Sequence, residues 1–174
     1  MVKNFKIKKG ETVLDMGTGS GLIAIFACYQ GAHRVVAVDI NPWALKSAGH
    51  NARLHGFGKI IELKKSDLFQ NIKHEKFDVI TANLPFRNKR AHDLVAAAQW
   101  DTDLKTNRGF FKKAGNYLQP NGRIYFTQSN FGAMPEIKTI ARTAGFSITM
   151  IGSSPQRNRN LKRFYAFVAR TRKQ

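Results

Sequence analysis

The tetrapeptide Asn83-Leu84-Pro85-Phe86 closes the apolar run Phe77-Asp78-Val79-Ile80-Thr81-Ala82. A buried strand that stops there presents, in order, an amide, a proline turn and an aromatic face. Those parts suit the holding of a flat, NH-bearing group. The Asn83 side-chain oxygen and the Leu84 carbonyl can accept hydrogen bonds, and Phe86 can stack on a planar acceptor. Pro85 biases Leu84 toward extended backbone. Read alone, the tetrapeptide is little more than a proline turn, so its chemistry rests on what stands beside it.

Upstream lies a glycine loop, Asp15-Met16-Gly17-Thr18-Gly19-Ser20-Gly21, between a strand-like and a helical run. Glycine permits a tight turn and close approach of a ligand to the backbone. The helix N-terminus that follows offers N–H groups and partial positive charge to an anion. Asp39 ends the next strand, where a carboxylate can accept from ribose hydroxyls. Two cofactors meet these needs: a dinucleotide with its pyrophosphate at the helix, or S-adenosylmethionine with its methionine carboxylate there. The dinucleotide pattern G-x-G-x-x-G requires glycine at position 22, which is Leu22 here, so the spacing favours the second.

The elements that must position these residues alternate along the chain, the pattern of a sheet with helices on both faces. Strands are expected at 12–16, 34–39, 60–63, 77–82 and 123–127. Helices are expected from Gly21 to Tyr29, with Leu22, Ile25, Phe26 and Tyr29 on one face, from Asn41 as cap to about Leu54, over about 106–118, and from Pro135 to Ala144. Pro120-Asn121-Gly122 reads as a turn. The end differs: Phe146–Ile151 and Phe164–Val168 are strand-like with no helix between them, so they should pair antiparallel.

Composition bounds the rest. The chain has 174 residues with 43% hydrophobic, within single-domain range and able to bury a core. No apolar run approaches the ~20 residues of a membrane helix, and the N-terminus lacks the apolar middle of a signal peptide. The single cysteine, Cys28, forms no internal disulfide, which fits a cytoplasmic setting. Lys and Arg number 29 against 11 Asp and Glu, a net charge of +18 that suits RNA or the ribosome as partner. Arg87, Lys89 and Arg90 directly follow the acceptor motif, and Arg157 and Arg159 stand between the last two strands. All five are candidate substrate contacts; a solvated basic surface is the plainer alternative.

On these residues the chain resembles the class I S-adenosylmethionine-dependent methyltransferases. It is most similar to the small-domain group of release-factor glutamine and ribosomal-RNA guanine-N2 methyltransferases. The resemblance is carried by 13–21, by Val38-Asp39-Ile40-Asn41-Pro42, by Ser66-Asp67-Leu68-Phe69 and by Asn83-Leu84-Pro85-Phe86, and it runs from about Gly10 to Ala169. It implies an α/β fold: a Rossmann-like, doubly wound, seven-stranded, mostly parallel sheet with a C-terminal antiparallel hairpin, as one domain over 1–174. It implies that Asp15, Gly17, Thr18, Gly19 and Gly21 surround the methionine part, that Asp39 binds the ribose, that Ile40 packs on the adenine, and that Asp67 accepts from its amino group beside Leu68. Asn83, Leu84, Pro85 and Phe86 become the catalytic set. Leu84 stands where the family pattern has a first proline.

The chemistry expected is methyl transfer to a planar NH2 nitrogen: a base amine of RNA or DNA, or a glutamine amide of a translation protein. The sulfonium already activates the methyl, so no metal is expected. Hydrogen bonds from the NH2 group to Asn83 and Leu84 would turn its lone pair toward the methyl, and positioning of this kind contributes ~7–11 kcal/mol in well-oriented systems. The alternative is a weak or inactive RNA-binding module that keeps the cofactor fold, and Leu84 is the feature that favours it. Many relatives carry a recognition domain before the first strand; here that strand opens at Thr12. Recognition is therefore expected from basic loops or a partner subunit, unless the chain is a fragment.

Overall fold

The computed structural model describes residues 2–73, 75–154 and 162–172. Seven strands form one sheet: β1 (Thr12–Met16), β2 (Arg34–Asp39), β3 (Ile61–Lys65), β4 (Phe77–Ala82), β5 (Leu118–Ser129), β6 (Phe146–Ser153) and β7 (Phe164–Thr171). Their spatial order is β3-β2-β1-β4-β5-β7-β6. The first five are parallel, and β7 runs antiparallel to both β5 and β6. This is the doubly wound sheet with a terminal antiparallel pair expected from the sequence.

The strand order reverses between β1 and β4. The chain steps outward from β1 to β3, then returns to the other side of β1. In open α/β sheets, ligands bind outside the carboxyl ends of the strands at such a switch point. The glycine loop leaves β1 there, and the acceptor tetrapeptide leaves β4 there, so topology alone brings the two motifs together.

Helices α1 (Leu22–Tyr29) and α2 (Pro42–Leu54) cover one face. Helices α4 (Lys105–Ala114) and α5 (Met134–Thr143) cover the other; the four-residue α3 (Leu94–Ala97) lies between β4 and α4. Alternate residues of the central strands feed two cores. Leu14, Val36 and Ile80 meet Phe110, Phe111 and Ile137 on one side, while Val13, Val35 and Val79 meet Ile23, Ala24 and Ala27 on the other. Burial on both faces explains why these strands read as unbroken apolar runs.

Three details depart from the sequence expectation. Of the α1 residues expected on one face, Leu22 and Tyr29 are each 64% exposed while Ile25 is buried; Ala24 and Ala27 pack toward the sheet beside Ile25. The helix is apolar nearly all round, so period alone selects no inner face, and small residues allow the closest approach. The Pro120-Asn121-Gly122 turn does not end an element. It is a bulge inside β5, where the register jumps from Phe77↔Leu118 to Val79↔Arg123 and Asn121 takes φ 67°. Finally, α3 had no periodic signal and was not foreseen.

Candidate active site

A cavity of about 360 Å³ opens at the switch point. Met16, Gly17 and Gly19 form its β1 wall, Val38, Asp39, Ile40, Asn41 and Ala44 its β2 side, and Ser66, Asp67 and Leu68 the segment after β3. Asn83, Leu84 and Pro85 close it from β4, and Leu94, Ala97, Ala98 and Thr106 complete it from α3 and the start of α4. The volume lies in the range of small-molecule sites, about 300–1,000 Å³.

The loop is built to hold a shape. Gly17, Gly19 and Gly21 take φ of 71°, 57° and 84°, which L side chains rarely adopt. Gly17 and Thr18 N–H donate to the Val38 carbonyl at 2.8 and 2.9 Å, and Gly19 N–H donates to Asp39 Oδ2 at 2.9 Å. A Cβ on Gly19 would meet no protein atom within 4 Å. Packing therefore does not require glycine at 19; the backbone angle does, and so would a ligand lying against it.

Asp15 lies beneath this loop, not on the cavity wall. It is fully buried, and its carboxylate accepts from Thr18 Oγ1 and Thr81 Oγ1, both at 2.7 Å, and from the Ala24 N–H of α1. Burial pushes its carboxyl above the usual range, the Thr18 and Thr81 bonds pull it down, and the Asp39 charge pushes it up again. The α1 N-terminus thus already meets a carboxyl group from inside the protein. Asp39 does face the cavity; Asn41 N–H donates to its Oδ1 at 2.9 Å, leaving each carboxylate oxygen with further accepting capacity.

Ile40 lines the cavity while 45% exposed, an apolar side chain with open space before it. Asp67 lines it too and accepts from Gln70 Nε2 at 3.2 Å. Leu68 takes φ 49°, a strained angle for a leucine, and its carbonyl accepts from Ser66 Oγ at 2.8 Å. Non-glycine residues held there cost about 1–3 kcal/mol and cluster at ligand sites.

The acceptor tetrapeptide is fastened at almost every residue. Thr127 Oγ1 donates to Asn83 Oδ1. Asn107 Nδ2 donates to the Pro85 carbonyl at 2.7 Å, Ala133 N–H to the Phe86 carbonyl at 2.7 Å, and Asp101 N–H to the Arg87 carbonyl at 2.8 Å. Asn107 is itself held by the buried Asp101, whose carboxylate also takes the Thr106 and Asn107 N–H groups and caps α4. Among the described residues, no group donates to the Leu84 carbonyl. The Leu84 side chain is buried in the core beside Gly17, so packing supplies the rigidity that a proline would have given.

Phe86 does not line the cavity. Its ring meets Phe131 and Phe164 edge-on, at 5.5 and 6.1 Å between centroids. The Arg87 guanidinium sits 5.0 Å over the Phe131 ring and Lys162 Nζ 5.6 Å from it, while Lys89 stands over Trp100. Arg90 is exposed. Arg157 and Arg159 lie outside the described residues. Next to Phe131, Asn130 Oδ1 accepts from Arg163 N–H at 2.8 Å. Cys28 is buried against the sheet, and burial pushes its thiol up to about 11, so it stays a neutral core group. Sequence reasoning missed Thr106, Leu94, Ala97 and Ala98 as cavity residues. Nothing local in the sequence marks these four positions as facing the cofactor side.

The molecule matches known proteins along most of its length. The family model described as methyltransferase small domain covers residues 1–149. A candidate protein N5-glutamine methyltransferase of Methanocaldococcus jannaschii is 34% identical over 155 residues, 85% of this chain and 77% of that one. Ribosomal protein L11 methyltransferase of Caldicellulosiruptor bescii is 54% identical over 78 residues, 45% of this chain but only 25% of its own length. The crystal structure of ribosomal protein L11 methylase from Lactobacillus delbrueckii subsp. bulgaricus shares the fold, with a TM-score of 0.74 at 24% identity, covering 99% of this chain and 75% of that one. The glycine whose Cβ position is open space and the carboxylates facing the cavity fit the methyl donor of such enzymes. By the family model over residues 1–149 and the 34% identical relative, the protein belongs to the methyltransferase small domain family, and its cofactor is S-adenosylmethionine.

Proposed function

We propose that the protein methylates a planar NH2 nitrogen, with Asn83 Oδ1 and the Leu84 carbonyl accepting the two N–H bonds of that group. One observation supports this above others. The carbonyls of Pro85, Phe86 and Arg87 are each spent inside the protein, whereas among the described residues nothing donates to Leu84, which lines the cavity. Asn83 Oδ1 keeps one lone pair after its bond from Thr127. Two acceptors thus stand side by side where the cavity meets the acceptor motif. When bound, S-adenosylmethionine supplies an electrophilic methyl group. Asp39 would hold the ribose and Asp67 the adenine amino group. Asp15 would act through the loop it braces.

The substrate we favour is a base amine of RNA within the translation machinery. A net charge of +18 and the cations Arg87, Lys89 and Lys162 near the acceptor motif support an anionic partner. A second reading, a glutamine amide of a translation protein, draws on the name of the 34% identical relative. Both acceptors are flat and carry NH2, so the same two oxygens serve either. The non-catalytic module is not favoured, since the packing of Leu84 keeps the tetrapeptide fixed.

Tritium transfer from labelled cofactor to ribosomes, followed by separation of RNA from protein, decides between the two substrates. Asn83→Ala should lower turnover by ~10²–10³, the usual effect of losing one preorganised polar contact, and leave S-adenosylhomocysteine binding within about twofold. Wild-type turnover in that variant would exclude the role given to Asn83.

A further inference from the structure

We propose that Thr127 is a positioning residue that sets which way the Asn83 carboxamide faces, so that oxygen and not NH2 meets the acceptor group. The inference rests on the role of Asn83 given above and adds how that role is secured.

The two ends of a carboxamide are nearly identical in shape and opposite in hydrogen bonding. A flip of Asn83 would point two donors at a substrate group that is itself a donor. Asn83 is exposed and follows the last residue of β4, so its own neighbours in sequence do not hold it. Thr127 does. The parallel register sets Ala82 level with Phe126, and one further step sets Asn83 level with Thr127. Thr127 is 5% exposed, lies opposite Ala166 of β7 and, being β-branched, is stiff about χ1. Its hydroxyl donates to Asn83 Oδ1.

A hydroxyl can also accept, so the direction of the bond needs a reason. If Asn83 flipped, the Thr127 oxygen would accept from Nδ2 and its own proton would need another acceptor. Among the described residues it has no acceptor besides Asn83. A buried donor without a partner is unfavourable, and this biases the carboxamide toward the oxygen-forward state. Oδ1 then carries one bond from Thr127 and keeps one lone pair for the substrate.

The first test needs no substrate. In protein labelled with ¹⁵N at asparagine, Asn83 should give one side-chain NH2 pair in the wild type and in Thr127→Ser. In Thr127→Val, which keeps the shape and removes the hydroxyl, that pair should shift or split as the second orientation becomes populated. Unchanged Asn83 signals in the valine variant would overturn the proposal. In the ribosome transfer assay, Thr127→Val should lower kcat at least tenfold with S-adenosylhomocysteine affinity and Tm nearly unchanged, and serine should restore it. A carboxylate has two equivalent oxygens. In an Asn83→Asp background the valine substitution should therefore have little further effect, whereas a purely structural role for Thr127 would persist there. If Asn83→Ala turns over normally, the role of Asn83 itself is wrong. If Asn83→Ala is inert while Thr127→Val is wild type, only the positioning role falls.

Discussion

Single residues here separate into those that touch the cavity and those that hold what touches it. Gly19 belongs to the first kind. Its N–H is bonded to Asp39, its φ is 57°, and a Cβ would project into space free of protein atoms. Gly19→Ala should therefore fold, with a loss of about 1–2 kcal/mol from the left-handed backbone angle. Its affinity for S-adenosylhomocysteine should fall far more than that strain explains, at least tenfold, because the methyl occupies ligand space. Thermal melts with and without the ligand, beside calorimetric titration, measure the two effects separately. Equal affinity in the variant would mean that the ligand does not lie against Gly19. Asp15 is of the second kind: acidic, buried and spent on Thr18, Thr81 and Ala24, it braces the loop from below.

At the scale of elements, the acceptor motif is gripped from β5, from the turn before α5, and from the start of α4. The tightest point is Gly132, where a Cβ would come within 2.5 Å of the Phe86 carbonyl oxygen and 2.7 Å of the Phe86 ring. Gly132→Ala must displace Phe86 and strain the bond from Ala133 N–H, so kcat should fall at least tenfold while cofactor affinity, set by β1 and β2, stays near wild type. Loss of both together, in a protein that still melts cooperatively, would show that the motif and the cofactor wall move as one. These grips also mark what was legible beforehand. β1, β2 and β4 were read to the residue because parallel strands buried on both faces leave no ambiguous alternation. Asn41 announced α2 through its cap, and its side chain does accept from Trp43 N–H at 3.0 Å. Gly132, Asn107 and Thr127 were not legible as parts of the site. Each lies more than twenty residues from the motif it supports, and its role exists only through the strand order β1-β4-β5. The inner face of α1 was unreadable for another reason: with apolar residues on every side, burial is decided by side-chain size against the sheet.

For the molecule as a whole, two carboxylates, the half-buried Glu11 and the buried Asp15, respond to acid in opposite senses. Glu11 ties the N-terminal segment to the sheet through a two-pronged pair with Arg123, its oxygens 2.8 Å from Nη1 and Nη2, while Arg123 also bonds Tyr125 Oη and the Lys6 carbonyl. Burial works to raise the Glu11 carboxyl, but the Arg123 bonds, the Lys8 N–H and the Arg123 charge together hold it below its ordinary value of 4.5. A carboxyl lowered on folding binds more protons in the unfolded chain, so its stabilisation is complete above about 4.5 and is lost as pH falls through the lowered value. Asp15 is raised above its ordinary 3.8 by burial, so its contribution is complete below 3.8 and is lost as pH rises through the higher folded value. The wild-type acid limb should contain both slopes, partly cancelling. Glu11→Gln removes only the first, so stability measured by urea unfolding from pH 7 down to pH 3 should decline less steeply than in the wild type, from a lower starting level. Taking the whole side chain away in Glu11→Ala leaves Arg123, 8% exposed, without its charge partner, and should cost about 1–3 kcal/mol at neutral pH, the range for a buried donor that loses one partner. An acid limb as steep in Glu11→Gln as in the wild type would assign the acid sensitivity to other carboxylates. With only 11 of them against 29 Lys and Arg, each protonation adds to a charge that already opposes compactness. The Glu11 substitution therefore has to be compared with a surface control such as Glu136→Gln, which changes the net charge equally and breaks no buried pair.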